Sequence, residues 1–473
     1  MNLRRLVRRC HDMRLLVLWI GVGAVSPAGA AGPILATSGC PIFHCTPEAT
    51  GVNSDALLAH PTTVQSNNSL GTLLHQGCSG DGSRLACLFP TDAVTSGVAK
   101  GTLKLIDATT LQPLWGSAGV AGSYDIDPVT FSTSQVPLMF ADGSLAAGDS
   151  FRHVLYSSTG QVLKSLALGG RGSGRNMGMT PISERYGVIT QNNGVFTLVD
   201  LETWTKVSAL TVKVEGASIQ VQSPSSGTSG VLYVVAASDN RSNLLALSVQ
   251  TDPSGADKLV VRATFTFSGK PTASAVIVKP QTTGFAGNLV LLHVPALPGE
   301  STPVYRLLGL LDDGSSTFSH AWPAPIMLDD GLTISPAVDE VSRSLFFRYI
   351  TTSIIHRYDL LSGSFVEQYD IASAGAFPSS FTLNGHMASN QYGGAFTLLL
   401  SGTYKQRRGG GSAQVAVGFQ PLISPTSVLW SRKISDKPDL YTLIWTTGPA
   451  KSSFGYYCPI VVGKTSGISR VCD

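Results

Sequence analysis

One unit recurs along this chain: a strand-like run, a turn opened by aspartate, and a second strand-like run. The clearest copy runs from Gly101 through Leu105, Ile106 and Asp107 to Trp115. A second runs from Gly194 through Val199 and Asp200 to Val207, and a third from Ile354 through Tyr358, Asp359 and Gly363 to Val366. Apolar–polar alternation favours extended strands, while Asp, Thr, Ser and Gly bond to or relax the turn backbone. Fainter copies lie at 154–163, 244–259, 305–322 and 415–430. The turns fall near positions 107, 157, 200, 250, 312, 359 and 421. A spacing of about 50 residues leaves room for about four short strands per unit.

Four-stranded units of that length point to a β-propeller. The expected fold is all-β, a seven- or eight-bladed propeller, with an eighth unit if Tyr441–Val471 supplies one. Apolar runs at Tyr186–Thr190, Val195–Val199, Val231–Ala236, Leu289–His293 and Ser344–Tyr349 read as strands. Thr180-Pro181, Ser223-Pro224 and Ser335-Pro336 each precede a new strand pair. No amphipathic stretch predicts a helix longer than two turns. Charged residues are 13% of the chain, against a usual ~25%, and hydrophobic residues 43%, which excludes a disordered chain. A row of β-sandwich domains would show linkers and a period near 100 residues, about one domain each. Neither is present, and Gly409–Gly411 reads as a loop inside a hairpin.

The repeat resembles that of the PQQ-like (quinoprotein-like) propellers, which runs strand, Asp, turn, Thr-Gly, strand, Trp. Leu105, Ile106, Asp107, Ala108 and Thr109 leading to Trp115 match it best, followed by Val199–Thr203 and Tyr358–Gly363. The turn glycine survives at Gly160 and Gly363, and the closing tryptophan at Trp115, Trp322 and Trp430. The resemblance implies the fold and a divergent member. For dehydrogenases of this family it also implies PQQ with calcium, under a disulfide between adjacent cysteines. This chain has no adjacent cysteine pair and no C-x-x-C-H haem motif. The expectation is therefore no cofactor.

Residues 15–25 form an apolar run behind a basic stretch, and Ala28-Gly29-Ala30 supplies small residues for cleavage. Residues 1–30 read as a signal peptide, 31–90 as a disulfide-bearing segment with the first blade, and 91–473 as the rest of one propeller domain. Residues 1–30 hold five Arg and one Asp, so 28 basic and 29 acidic residues follow them. That balance offers no basic field for nucleic acid. No later run is long enough to span a membrane. Beyond the leader lie Cys40, Cys45, Cys78, Cys87, Cys458 and Cys472, an even set near the two ends. In an exported chain, periplasmic or extracellular, these read as disulfides, most simply three local pairs that restrain a closing ring.

Motifs for chemistry are sparse. There is no G-x-S-x-G elbow, no H-E-x-x-H and no calcium loop. The glycine-rich stretch 169–178, with Arg171 and Arg175, offers backbone N–H groups and two cations to an anion. His320 and Trp322, close in sequence to Asp329 and Asp330, form the one other cluster worth following. No metal site is expected. The expected function is non-enzymatic: an exported binding or scaffold protein that meets a protein or glycan partner through its loops or channel mouth. The alternative is an enzyme at the channel mouth, either a divergent quinoprotein oxidoreductase, a lyase or a hydrolase.

Overall fold

The computed structural model describes residues 34–36, 52–53, 61–70, 78–90, 99–115, 123–126, 137–148, 151–169 and, with short interruptions, 174–472. Among them are eight sheets, each the blade of one propeller and antiparallel apart from the pairing of Val52–Asn53. Blades are numbered along the chain and their strands given from the axis outward. Blade 1 holds Cys78–Gly80, Arg84–Pro90, Ala99–Asp107 and Pro113–Trp115. Blade 2 holds Leu138–Met139, Leu145–Gly148, Arg152–Tyr156 and Val162–Ala167. Blade 3 holds Asn176–Pro181, Tyr186–Gln191, Val195–Asp200 and Thr205–Thr211. Blade 4 begins with Gln220–Val221 and Ser225–Ser226, then Val231–Ala237, Ser242–Thr251 and Asp257–Phe267.

Blade 5 holds Val276–Val278, Asn288–Val294 and Arg306–Asp312, edged by Ser319–His320 and Ile326–Met327. Blade 6 holds Ala337–Asp339, Ser344–Phe347, Ile354–Asp359 and Phe365–Asp370. Blade 7 holds Thr382–Asn390, Thr397–Lys405, Ser412–Gln420 and Ser427–Ser435. Blade 8 is composite. Thr442–Pro449, Tyr457–Gly463 and Gly467–Cys472 come from the end of the chain, and its outermost strand, Thr63–Asn67, from the beginning. The only α-helices among the described residues are single turns, Pro280–Thr283 and Ile371–Ala374.

Consecutive strand residues face opposite ways, so a strand buried on both sides reads as a continuous apolar run. Val231–Ala237 is buried throughout. Leu232, Val234 and Ala236 face the core shared with blade 3, whereas Val231, Tyr233 and Val235 face that shared with blade 5. The same alternation fills the other boundaries, and blade 8 is clasped between blades 7 and 1 by one continuous cluster. Each fully buried Leu, Val or Phe contributes roughly 1.5–3 kcal/mol.

Turn chemistry sets the register of each blade. Asp107 accepts from the Thr109 and Thr110 amides (2.8 and 2.6 Å), Asp200 from Thr203 (2.9 Å) and Asp359 from Ser362 (2.8 Å). These carboxylates replace the partners that the turn amides lack. Polar side chains then pin blade to blade. Trp115 Nε1 donates to Ser158 O (3.2 Å), Trp204 Nε1 to His153 O (3.3 Å) and Trp322 Nε1 to Leu360 O (3.0 Å). Tyr186 donates to Asp257, and Tyr233 and Arg262 both donate to Asp312. Trp430 is buried, but its Nε1 has no partner, so the last tryptophan copy keeps the burial and loses the bond.

Cys78–Cys87 and Cys458–Cys472 are disulfides, each joining residues opposite one another on neighbouring strands. They lie in the two blades flanking the closure; Cys40 and Cys45 lie outside the described residues. The second disulfide sits on the strand that receives Thr63–Asn67. A cross-link closing a loop of about 15 residues is worth roughly 3 kcal/mol in the chain-entropy model. A Cys458→Ser/Cys472→Ser variant is therefore expected to unfold with about 3 kcal/mol less resistance. Urea titration checks this, and a midpoint equal to wild type would show that the bond does not support closure.

Candidate functional site

Of the residues singled out in sequence, His320 faces away from Trp322 and Asp329. Arg171, Arg175 and Asp330 lie outside the described residues. His320 sits exposed on the outer edge of blade 5, edge-on to Phe265 of blade 4 at 6.2 Å. Trp322, two residues on, is buried in the opposite direction, against Leu360 and Gly363 of blade 6. The short outer strand ends at His320, and Ala321 bonds back to Gly309 O (2.8 Å), so the two rings diverge. Trp322 is thus a blade-to-blade pin.

Asp329 does meet chemistry, though with other partners. It is exposed, and its backbone N–H donates to Tyr349 Oη of blade 6 (3.2 Å). His356 is half-buried between Phe347 (ring centroids 5.7 Å) and Tyr349 (5.1 Å), and Tyr358 stacks on Phe347 at 5.1 Å. Burial holds the His356 pKa below its ordinary value, and the Asp329 charge opposes that shift. Burial first, then the charges of Tyr349 and Asp329, push the Tyr358 phenol up. His356, Tyr349 and Tyr358 thus form an aromatic group at the boundary between blades 5 and 6, within reach of the Asp329 charge. Folding the hairpin of Ser344–Phe347 on Ile354–Asp359, which sets Phe347 opposite His356, is the signal that exposes the cluster.

Two further histidines are buried. Asn176 Nδ2 donates to His153 Nδ1 (3.2 Å), which assigns the ring proton to Nε2, and that atom has no partner. Burial pushes the His153 pKa down to about 3 and that of His293 to about 4. Both are neutral in the folded chain, whereas the unfolded chain takes up protons below the ordinary histidine pKa. Acid therefore favours unfolding, and the loss develops as pH falls from about 6.5 towards the folded values. Between pH 7 and 5 each histidine is expected to remove about 2 kcal/mol of stability. Thermal melts across that range should show the slope, and His153→Gln should flatten part of it. An unchanged slope would overturn the assignment.

The described residues contain no group of three or more His, Cys, Asp or Glu able to share a metal ion. Those described residues therefore offer no such carboxylate set to a calcium ion, and the chain lacks the adjacent cysteines that would cover PQQ.

No family model matches the chain, and no curated protein matches it. Solved structures do. The chain is similar to Sqt1 of Saccharomyces cerevisiae, with a TM-score of 0.50 at 10% identity over 86% of this chain and 99% of that one. It is also similar to a europium-containing methanol dehydrogenase, with a TM-score of 0.52 at 9% identity over 90% of this chain and 89% of that one. Likeness at such identities shows a shared propeller fold alone, and activity has to be argued from the site.

Proposed function

We propose that this protein is an exported, non-enzymatic binding platform that presents its loops and channel mouth to a protein or glycan. One observation carries this reading: many polar side chains of the described residues serve the fold itself. The Asp carboxylates close turns within blades, while the tryptophan pins and the Tyr233–Asp312–Arg262 network join one blade to the next. The two disulfides and the absence of any helix long and apolar enough to cross a membrane, among the described residues, are compatible with export.

A titration of the disulfide-intact chain with PQQ and calcium, followed by tryptophan quenching, tests the reading. It is run beside dye-reduction assays on alcohols and sugars. The platform reading expects neither saturation nor turnover; saturable binding with dye reduction would replace it with a quinoprotein. The Asp329 charge acting on His356 favours the second reading, an enzyme, because a carboxylate near an imidazole suits proton transfer. If that reading holds, Asp329→Asn abolishes turnover of whichever substrate is found.

A further inference from the structure

The chain ahead of the ring touches the inner wall of the propeller at two blades. Ala36 N–H donates to Met139 O (2.9 Å) and Ala141 N–H to Ile34 O (2.8 Å), setting Leu35 opposite Phe140 on the inner edge of blade 2. Val52–Asn53 runs parallel to Ser389 and Asn390 on the inner edge of blade 7. Both edges belong to the strands nearest the axis. Ten residues after Asn53, Thr63 begins the outermost strand of blade 8.

These stretches are held very differently. Thr63–Asn67 pairs over five residues and adds side-chain bonds from Thr63 to Cys472 O (3.0 Å), from Ser66 to Ser469 (2.8 Å) and from Asn67 to Leu111 O (2.7 Å). Residues 34–36 have two main-chain bonds, and Ile34 is 52% exposed. Leu35 and Ala36 are half-buried, one against the core between blades 2 and 3, the other against that between blades 1 and 2. At blade 7 the added strand covers two of the nine residues of Thr382–Asn390. Contacts made chiefly through main-chain bonds are open to any extended backbone, with specificity left to alternate side chains.

We propose that the inner edges of blades 2 and 7 form a strand-accepting site, filled in cis by residues 34–36 and 52–53, which an extended peptide displaces. This rests on the binding-platform reading and names its ligand class: a peptide in extended conformation, with small or aliphatic side chains where Leu35 and Ala36 now sit.

The probe is a labelled synthetic peptide of residues 32–38, added to the full chain and to its Ala36→Pro variant. Proline at 36 removes the N–H that bonds Met139 O. The variant is expected to bind the peptide at least ten times more tightly than wild type, whose own segment competes. Leu35→Asp, which keeps every main-chain bond, is expected to show a smaller gain and covers the case of a misfolded proline variant. In the wild-type chain, the Ala36 and Ala141 amides should exchange hydrogen at least a hundred times faster than those of Val231–Ala237. Equal peptide affinity in all three chains, or exchange at 36 and 141 as slow as in blade 4, would overturn the proposal. Neither readout depends on finding a natural partner or a cofactor, so failure here is distinct from failure of the platform reading.

Discussion

Replacing Trp322 with alanine is expected to remove about 3–5 kcal/mol of stability, the range seen when a large aromatic leaves a closed core. The indole is buried in the cluster joining blades 5 and 6 and donates to Leu360 O. It also lies between two glycines. A Cβ built on Gly309 would come within 2.4 Å of the ring, and one on Gly363 within 2.7 Å. Little side-chain volume stands ready to collapse into the space, so the cavity persists. Gly363 also has φ +70°, where any other residue is strained. Gly363→Ala should therefore cost the overpacking, about 1–3 kcal/mol, and a left-handed backbone term of about 1 kcal/mol. In a Trp322→Ala background only the backbone term should survive. Urea unfolding of the four chains in this cycle measures the coupling, and simple additivity would show that the ring and the turn do not hold each other.

Arg348→Ala is expected to have a comparable effect. The guanidinium follows the second strand of blade 6 and is buried, and among the described residues no carboxylate bonds to it. Its Nη1 donates to Tyr349 O (3.2 Å) and Leu383 O (3.1 Å), and its Nη2 to Gly385 O (2.6 Å). Burial alone lowers its pKa to about 10. Three carbonyls, two of them on the innermost strand of blade 7, thus depend on one cation. Removing it leaves buried acceptors at about 1–3 kcal/mol each, for an expected loss of about 3–5 kcal/mol. Arg348→Lys should recover little, because an ammonium group lacks the planar fork that spans separated carbonyls. Thermal melts and limited proteolysis check this; a stable Arg348→Met chain would mean that the carbonyls find other donors.

Most of the fold was legible because its turns are built from local chemistry. The expected turns near 107, 157, 200, 250, 312, 359 and 421 coincide with the connections between third and fourth strands in blades 1–7. Asp107 and its counterparts bond amides two or three residues away, so the pattern is contained in the sequence. Blade 8 was harder to count. Its outer strand, Thr63–Asn67, carries no turn that links it to Gly467–Cys472, and only the closure of a ring brings them together. The candidate site was less legible for a related reason. His320, Trp322 and Asp329 are close along the chain, but a strand end turns His320 towards blade 4 while Trp322 and Asp329 face blade 6. Asp329 and Tyr349 meet only because blade 5 hands the chain on to blade 6, a relation that nearness in sequence does not encode.

The composite blade has a consequence for the order of events in the life of the molecule. Thr63 bonds to Cys472, 409 residues away, and Ser66 to Ser469, 403 residues away. Contacts so remote are late, because loop-closure entropy must be overcome before they form. Blades 2–7 can assemble from consecutive chain as it is made, but the first strand-forming residues must wait for the last. Until then the apolar faces of blades 1 and 8 are uncovered, including Leu85, Ile106, Ile460 and Val471. A stalled or truncated chain would stop at that stage with two sticky edges exposed. The seam of the ring is thus both its final kinetic step and the place where quality control can tell a finished molecule from an unfinished one.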